Sequence, residues 1–213
     1  MDPGLNSLLQ WGIENSAASN PNADGTQPSQ SIETPKSRGL NAEALARLMG
    51  GPSDADLMRE AMTVIQNPES TLDSKMVAFD NFEQLVESID NANNLDQLGL
   101  WDPLIAQLSS TESSLRKMAA WCIGTAVQNN MKAQETLLGM DGIPVICRLA
   151  VEDDDEEVRK KSVYALSSEI RNYQPGMNEA VRCLPKDIVG PDQVSASDME
   201  VIDAIMGKLR EKE

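Results

Sequence analysis

One stretch of this chain is written twice. Leu115-Arg116-Lys117 through Val127-Gln128-Asn129 returns as Val158-Arg159-Lys160 through Ile170-Arg171-Asn172, 43 residues later. Between the basic pair and the Asn, each copy places an aromatic at the same phase, Trp121 and Tyr164. Small or apolar residues follow, Cys122-Ile123 and Ala165-Leu166. A period of this length belongs to stacked helical repeats, in which one unit cannot bury its own apolar face and a neighbour must cover it. Such a chain folds as a solenoid and works by presenting a surface to a partner.

The pattern within each unit sharpens this to the armadillo plan of three helices. Gln128-Asn129-Asn130 is followed by Ala133, Leu137 and Leu138, then Asp141-Gly142 leading into Val145, Ile146 and Leu149. One unit earlier Leu95, Leu98 and Leu100 precede Trp101-Asp102-Pro103 and then Leu104, Ile105 and Leu108, so Val145 follows Leu104 by 41 residues. The offset grows to 43 past the acidic loop Glu152-Asp153-Asp154-Asp155, which predicts a two-residue loop insertion. In the first third helix Leu115, Met118, Ala119, Cys122, Ile123, Ala126 and Val127 form a stripe suited to burial between layers. In the second copy Lys161 and Glu169 replace Met118 and Ala126, which predicts a wetter flank.

Composition agrees with an all-α, armadillo-like superhelical solenoid: 40% of the 213 residues are hydrophobic and only 3% aromatic. Lys and Arg number 18 against 34 Asp and Glu, a formal charge of −16 that repels phosphate backbones and argues against a nucleic-acid partner. With no histidine, triads, histidine bases and nearly all catalytic zinc sites fall away, so no enzyme and no cofactor is expected. Gly139-Met140-Asp141-Gly142 lacks the Lys and the spacing of a phosphate loop. Cys122, Cys147 and Cys183 read as reduced thiols. No apolar run reaches the ~18 residues of a membrane span. Asp2 and the early polar residues do not read as a signal peptide, so the expected location is cytoplasmic.

Residues 1–16 carry Leu5, Leu8, Leu9 and Ile13 at helical spacing and predict a short amphipathic helix. Residues 17–40 are rich in Ser, Asn, Pro, Gln and Gly and predict a disordered linker. Residues 41–173 predict the repeat domain, opened by a short helix carrying Leu45, Leu48 and Met49. Residues 174–213 predict a linker followed by a capping helix, with Ser197 and Glu200 as a capping box.

Several segments are specific in combination: Leu8-Leu9-Gln10-Trp11, Met76-Val77-Ala78-Phe79-Asp80-Asn81-Phe82-Glu83, Asp90-Asn91-Ala92-Asn93-Asn94, and Ile123-Gly124-Thr125-Ala126-Val127-Gln128-Asn129-Asn130. Together they resemble the fungal armadillo-type nucleotide exchange factors, the Fes-type and BP-type partners of seventy-kilodalton heat-shock chaperones. The resemblance runs from about residue 5 to residue 173. It implies a monomeric factor that grips the chaperone's nucleotide-binding domain and accelerates ADP release. An armadillo scaffold without exchange activity is the alternative. A cargo carrier would want Trp and Asn four residues apart on successive third helices, whereas Trp121 and Tyr164 are followed there by Thr125 and Ser168.

By that analogy the partner-binding candidates are the polar ends of the third helices: Asn91, Ala92, Asn93, Asn94, Gln128, Asn129, Asn130, Arg171 and Asn172. Asn and Gln also cap helices and bond turn backbones, so either role fits each of them. The acidic run from Asp153 to Glu157 reads as a solvated loop favouring the dipole of the helix after it. Trp101, Trp121 and Tyr164 read as packing residues. Trp11 reads as a transient contact for the chaperone's client groove or as a cap on the solenoid.

Overall fold

The structure, a computed structural model, describes residues 50–190 and 193–211. The chain divides into two units, Met1–Pro52 and Ser53–Glu213. The expected helix of residues 1–16 with Trp11, the linker of residues 17–40 and the helix carrying Leu45 to Met49 lie outside the described residues.

Among the described residues of the second unit, all regular structure is helical. Its elements are α1 (Asp54–Gln66), α2 (Leu72–Val86), α3 (Ile89–Asn94), α4 (Trp101–Ala106) with a 3-10 turn Gln107–Ser109, and α5 (Ser113–Val127). They continue with α6 (Met131–Gly139), α7 (Gly142–Glu152), α8 (Glu156–Ile170), α9 (Gln174–Cys183), α10 (Lys186–Val189) and α11 (Met199–Glu211). Short polar side chains start several of these helices by accepting otherwise unmet backbone N–H groups. Ser53 and Asp56 form a capping box on α1, and Thr71 accepts the Ser74 N–H at 3.2 Å. Asn130 caps α6, and Asp155 accepts the Glu157 N–H at 2.9 Å ahead of α8.

The long helices α2, α5, α8 and α11 stack in sequence as the third helices of successive units, and the closest pair is α5 with α8. Because α5 is covered by α2 on one side and α8 on the other, its predicted stripe is buried and so are Ala120 and Gly124 on its flanks. A helix apolar on several sides is the expected form for the middle of a stack. Each fully buried Leu, Ile or Met there contributes roughly 1.5 to 3 kcal/mol.

Five expectations need correction. Asp90 to Asn94 does not end α2: Ser88 is extended (φ −73°, ψ 124°), α2 stops at Val86, and the Asn cluster forms the separate first helix α3. The spacing of Leu72, Met76, Phe79, Phe82, Val86 and Ile89 predicts one apolar helix face, yet Leu72 and Ile89 are 40% and 57% exposed, because they stand in the first turns of their helices. The flank at Lys161 and Glu169 is not wet, since Glu169 is fully buried and Lys161 half-buried. Asp198, not Ser197, caps α11 by accepting the Val201 N–H at 3.1 Å. The stretch expected as a linker from residue 174 carries α9 and α10, and α9 packs on α7 and α8 as another first helix. Gln174 holds the return of the chain, donating to Val194 O and accepting from the Ala196 N–H.

The repeated Arg has a structural cause. Arg116 Nη1 donates to Ser110 O and Thr111 O, and one period later Arg159 Nη1 donates to Asp153 O and Asp154 O. Each Arg therefore folds the loop ahead of its own third helix. Arg116 also makes a bidentate pair with Asp153, Nε to Oδ2 at 2.7 Å and Nη2 to Oδ1 at 2.8 Å. Burial pushes the Asp153 carboxyl up, but the hydrogen bonds from Arg116 and the Asp155 N–H outweigh it and hold it below its usual value. Arg116→Ala is expected to cost about 2 to 3 kcal/mol, because it strands an Asp153 side chain that is only 4% exposed. Denaturant unfolding checks this, and a loss below ~0.5 kcal/mol would overturn it.

Candidate functional site

The third-helix ladder carries a groove of about 470 Å³. Glu83 and Val86 of α2 form one wall, with Glu87 just after that helix. Ile89 and Ala92 of α3 lie at one end, Trp121, Thr125 and Ala126 of α5 form the floor with Gln128 and Asn129 just after it, and Tyr164 of α8 forms the far wall.

Close approach of α5 and α8 shapes this floor. A Cβ on Gly124 would lie 2.6 Å from two Tyr164 ring atoms and 3.0 Å from the Ala165 Cα, so only glycine lets the Tyr164 ring lie flat on α5. From there the Tyr164 hydroxyl donates to Gln128 Oε1 at 3.3 Å, and Thr125 Oγ1 donates to Glu83 Oε1 at 2.8 Å. These bonds link three successive repeat units across the groove.

The adjoining cation is Lys161, whose Nζ sits 3.5 Å from the centroid of the Trp121 ring and 5.9 Å from that of Tyr164. Burial pushes its ammonium pKa down; neighbouring Glu83 opposes the change and Lys117 adds to it. Beneath the floor, Cys122 is buried and its thiol is pushed well above its usual value by burial and then by Glu83, which leaves it inert. Among the described residues no group of acids, cysteines or histidines is placed to hold a metal ion, and no helix is long and apolar enough to cross a membrane.

The structure separates the residues expected to bind. Ala92, Gln128 and Asn129 come together on the groove. Asn91 is buried, donating to Asp54 Oδ2 at 2.8 Å and Leu85 O at 3.0 Å, and Asn130 is buried as the cap of α6. Asn93 and Asn94 share α3 but do not line the groove. Arg171 is tied to Ser167 and to Asp203 of α11, and the Asn172 N–H donates to Ala196 O. Asn129 (φ 53°) and Asn172 (φ 57°) both adopt the left-handed conformation that ends a third helix, a turn Asn tolerates better than most residues. That accounts for the repeated Asn.

Glu83, Thr125, Trp121, Tyr164 and Lys161 escaped the sequence reading of the site. The packing role expected of Trp101, Trp121 and Tyr164 holds, since Trp101 is buried, Trp121 packs half-buried against the core and the Tyr164 ring lies on Gly124, but Trp121 and Tyr164 also line the groove. Their shared phase in the two copies was the signal that could have exposed them.

Two family models cover most of the chain: "Nucleotide exchange factor Fes1" over residues 5–95, and "SIL1/FES1/HPBP1 C-terminal domain" over residues 91–180. The chain is 50% identical to the Hsp70 nucleotide exchange factor FES1 of Coccidioides immitis, with 99% of each chain covered. The chain belongs to the Fes1 nucleotide exchange factor family. It is also 50% identical to the Gibberella zeae FES1, covering 99% of this chain and 97% of that one. Against the Yarrowia lipolytica FES1 it is 55% identical over 130 residues, which are 60% of this chain and 46% of that longer relative. Fes1 factors are chaperone cofactors rather than catalysts. The helical arrangement is shared with a crystal structure of an engineered protein from the Northeast Structural Genomics Consortium. That match has a TM-score of 0.51 at 17% identity and covers 80% of this chain and 70% of that one.

Proposed function

We propose that this protein is the exchange factor of a cytoplasmic seventy-kilodalton heat-shock chaperone, binding its nucleotide-binding domain as a monomer and accelerating ADP release. The observation that carries this reading is the groove where three successive third helices meet. It lies in a chain half-identical, along nearly its whole length, to proteins named as Hsp70 nucleotide exchange factors.

The action needs no catalytic group. A factor that binds the ADP-free chaperone more tightly than the ADP-loaded one lowers ADP affinity by the same ratio, and a coupling of about 1 to 3 kcal/mol changes affinity roughly 5 to 150-fold. Third helices bonded to one another through Thr125, Glu83, Tyr164 and Gln128 form a surface stiff enough to hold the chaperone in the open shape. A freed ADP site then takes ATP and the client is released.

The test is the rate at which labelled ADP leaves the chaperone as this protein is titrated in. Saturable acceleration is expected. Ala92→Arg forces a long cation into the α3 end of the groove from a position only 2% exposed, so thermal unfolding checks that this variant folds, and Gln128→Arg places the cation from an exposed position that leaves the core untouched. Both are expected to weaken the half-saturating concentration at least ~30-fold, as for a desolvated, unpaired interface charge. No acceleration by folded protein would leave a repeat scaffold as the reading, and full activity of both variants would remove the groove from the interface.

A further inference from the structure

Two pairs of polar groups in the groove are bonded to each other, while Lys161 beside it is not. Thr125 bonds Glu83, and Tyr164 bonds Gln128. Lys161 is seated on the Trp121 ring at 3.5 Å, yet its ammonium makes no hydrogen bond and no ion pair among the described residues. The acid nearest in sequence that faces it, Glu157, is paired with Lys160 instead. A lysine ammonium carries three N–H donors, and the aromatic face satisfies the charge without occupying those donors.

The charges around Lys161 are of both signs: Glu83 and Glu157 favour its ammonium and Lys117 of α5 disfavours it. The chain as a whole carries −16, so a lysine with unspent donors is a scarce positive point on its surface. A carboxylate approaching the acidic parts of that surface is repelled, so Lys161 bears on the register of docking as well as on its strength. A partner covering this face without an acceptor would bury an uncompensated ammonium, which is costly.

We propose that Lys161, held on Trp121, takes an Asp or Glu carboxylate from the protein that docks on the groove. This rests on the exchange-factor reading above, in which that protein is the chaperone. Lys161 is then the residue that sets where the chaperone sits, while the rigid ladder supplies the distortion. Its aromatic seat holds the ammonium ready, so less rotamer freedom is lost on binding than for an ordinary surface lysine.

The experiment is the ADP-release titration with wild type, Lys161→Met and Lys161→Arg at low and moderate salt, with thermal unfolding of each protein alone. Lys161→Met keeps the aliphatic stem on Trp121 and removes the charge. It is expected to raise the half-saturating concentration about 30-fold, to flatten its salt dependence, and to leave the saturated rate unchanged. Lys161→Arg is expected to recover most of the loss, because a guanidinium both stacks on Trp and pairs with a carboxylate. A Lys161→Met protein that titrates like wild type overturns the proposal. So does equal weakening in Met and Arg variants with wild-type salt dependence, which marks a packing role. If wild type itself fails to accelerate release, the exchange-factor reading fails first and takes this one with it.

Discussion

Gly124→Val is expected to lower the unfolding free energy by about 3 kcal/mol, the upper end for overpacking a close helix contact. The first added carbon already falls 2.6 Å from the Tyr164 ring and 3.0 Å from the Ala165 backbone, and the branched methyls go further. Tyr164 cannot simply swing aside, because its hydroxyl is bonded to Gln128 and its ring closes the groove wall. The strain therefore separates α5 from α8 or displaces Tyr164, and both spoil the groove. Denaturant unfolding should show a lower midpoint with an unchanged slope, and the same variant should lose most of its effect on ADP release. A Val variant as stable as wild type would mean that the two helices are not in the close register described.

Glu169→Gln is expected to change how stability depends on pH. Glu169 is buried at the end of α8 between Tyr173 and Gly176, neither carboxyl oxygen has a hydrogen-bond partner, and burial pushes its pKa up to about 9. Gln134 satisfies the backbone here, donating to Ser168 O at 3.0 Å and to Glu169 O at 2.9 Å, and leaves the carboxyl itself alone. Below the unfolded value, near 4.3, both folded and unfolded chains hold the proton and the group is neutral in its effect. As pH rises toward 9 only the unfolded chain loses it, so stability falls with pH by about 1.4 kcal/mol per pH unit from this group. The amide has no such slope. Whatever constant offset its own burial adds, the variant should gain on wild type by about 3 kcal/mol between pH 4.5 and pH 7. Parallel stability profiles over pH 5 to 8 would show that Glu169 is ionised in the folded state and paired with something it does not touch here.

Much of the architecture was legible because a repeat states its own geometry. The 43-residue recurrence, the apolar stripe from Leu115 to Val127 and the Asn at each helix end come from local rules: burial period, capping and tolerance of a left-handed turn. The Asn cluster of α3 misled for the same reason that it was noticed, since Asn serves a helix end, a helix start and a binding surface equally well. Only the fold shows Asn91 spent on Asp54 and Leu85, Asn130 spent on α6, and Arg171 spent on Asp203, while Ala92, Gln128 and Asn129 remain on the groove.

The sequence by itself determined the helical repeat, its third-helix ladder and the family, because periodicity, capping and family segments are properties of neighbouring residues. The tertiary structure decided which polar residues face the groove, that Glu169 is buried rather than wet, and that Lys161 of one unit rests on Trp121 of the unit before it. The seat of Lys161 on Trp121 joins residues one repeat apart through the stacking of α8 on α5, and Glu169 is covered by Tyr173 and Gly176 where the chain turns into α9, so both depend on how helices pack and not on any one helix's own pattern.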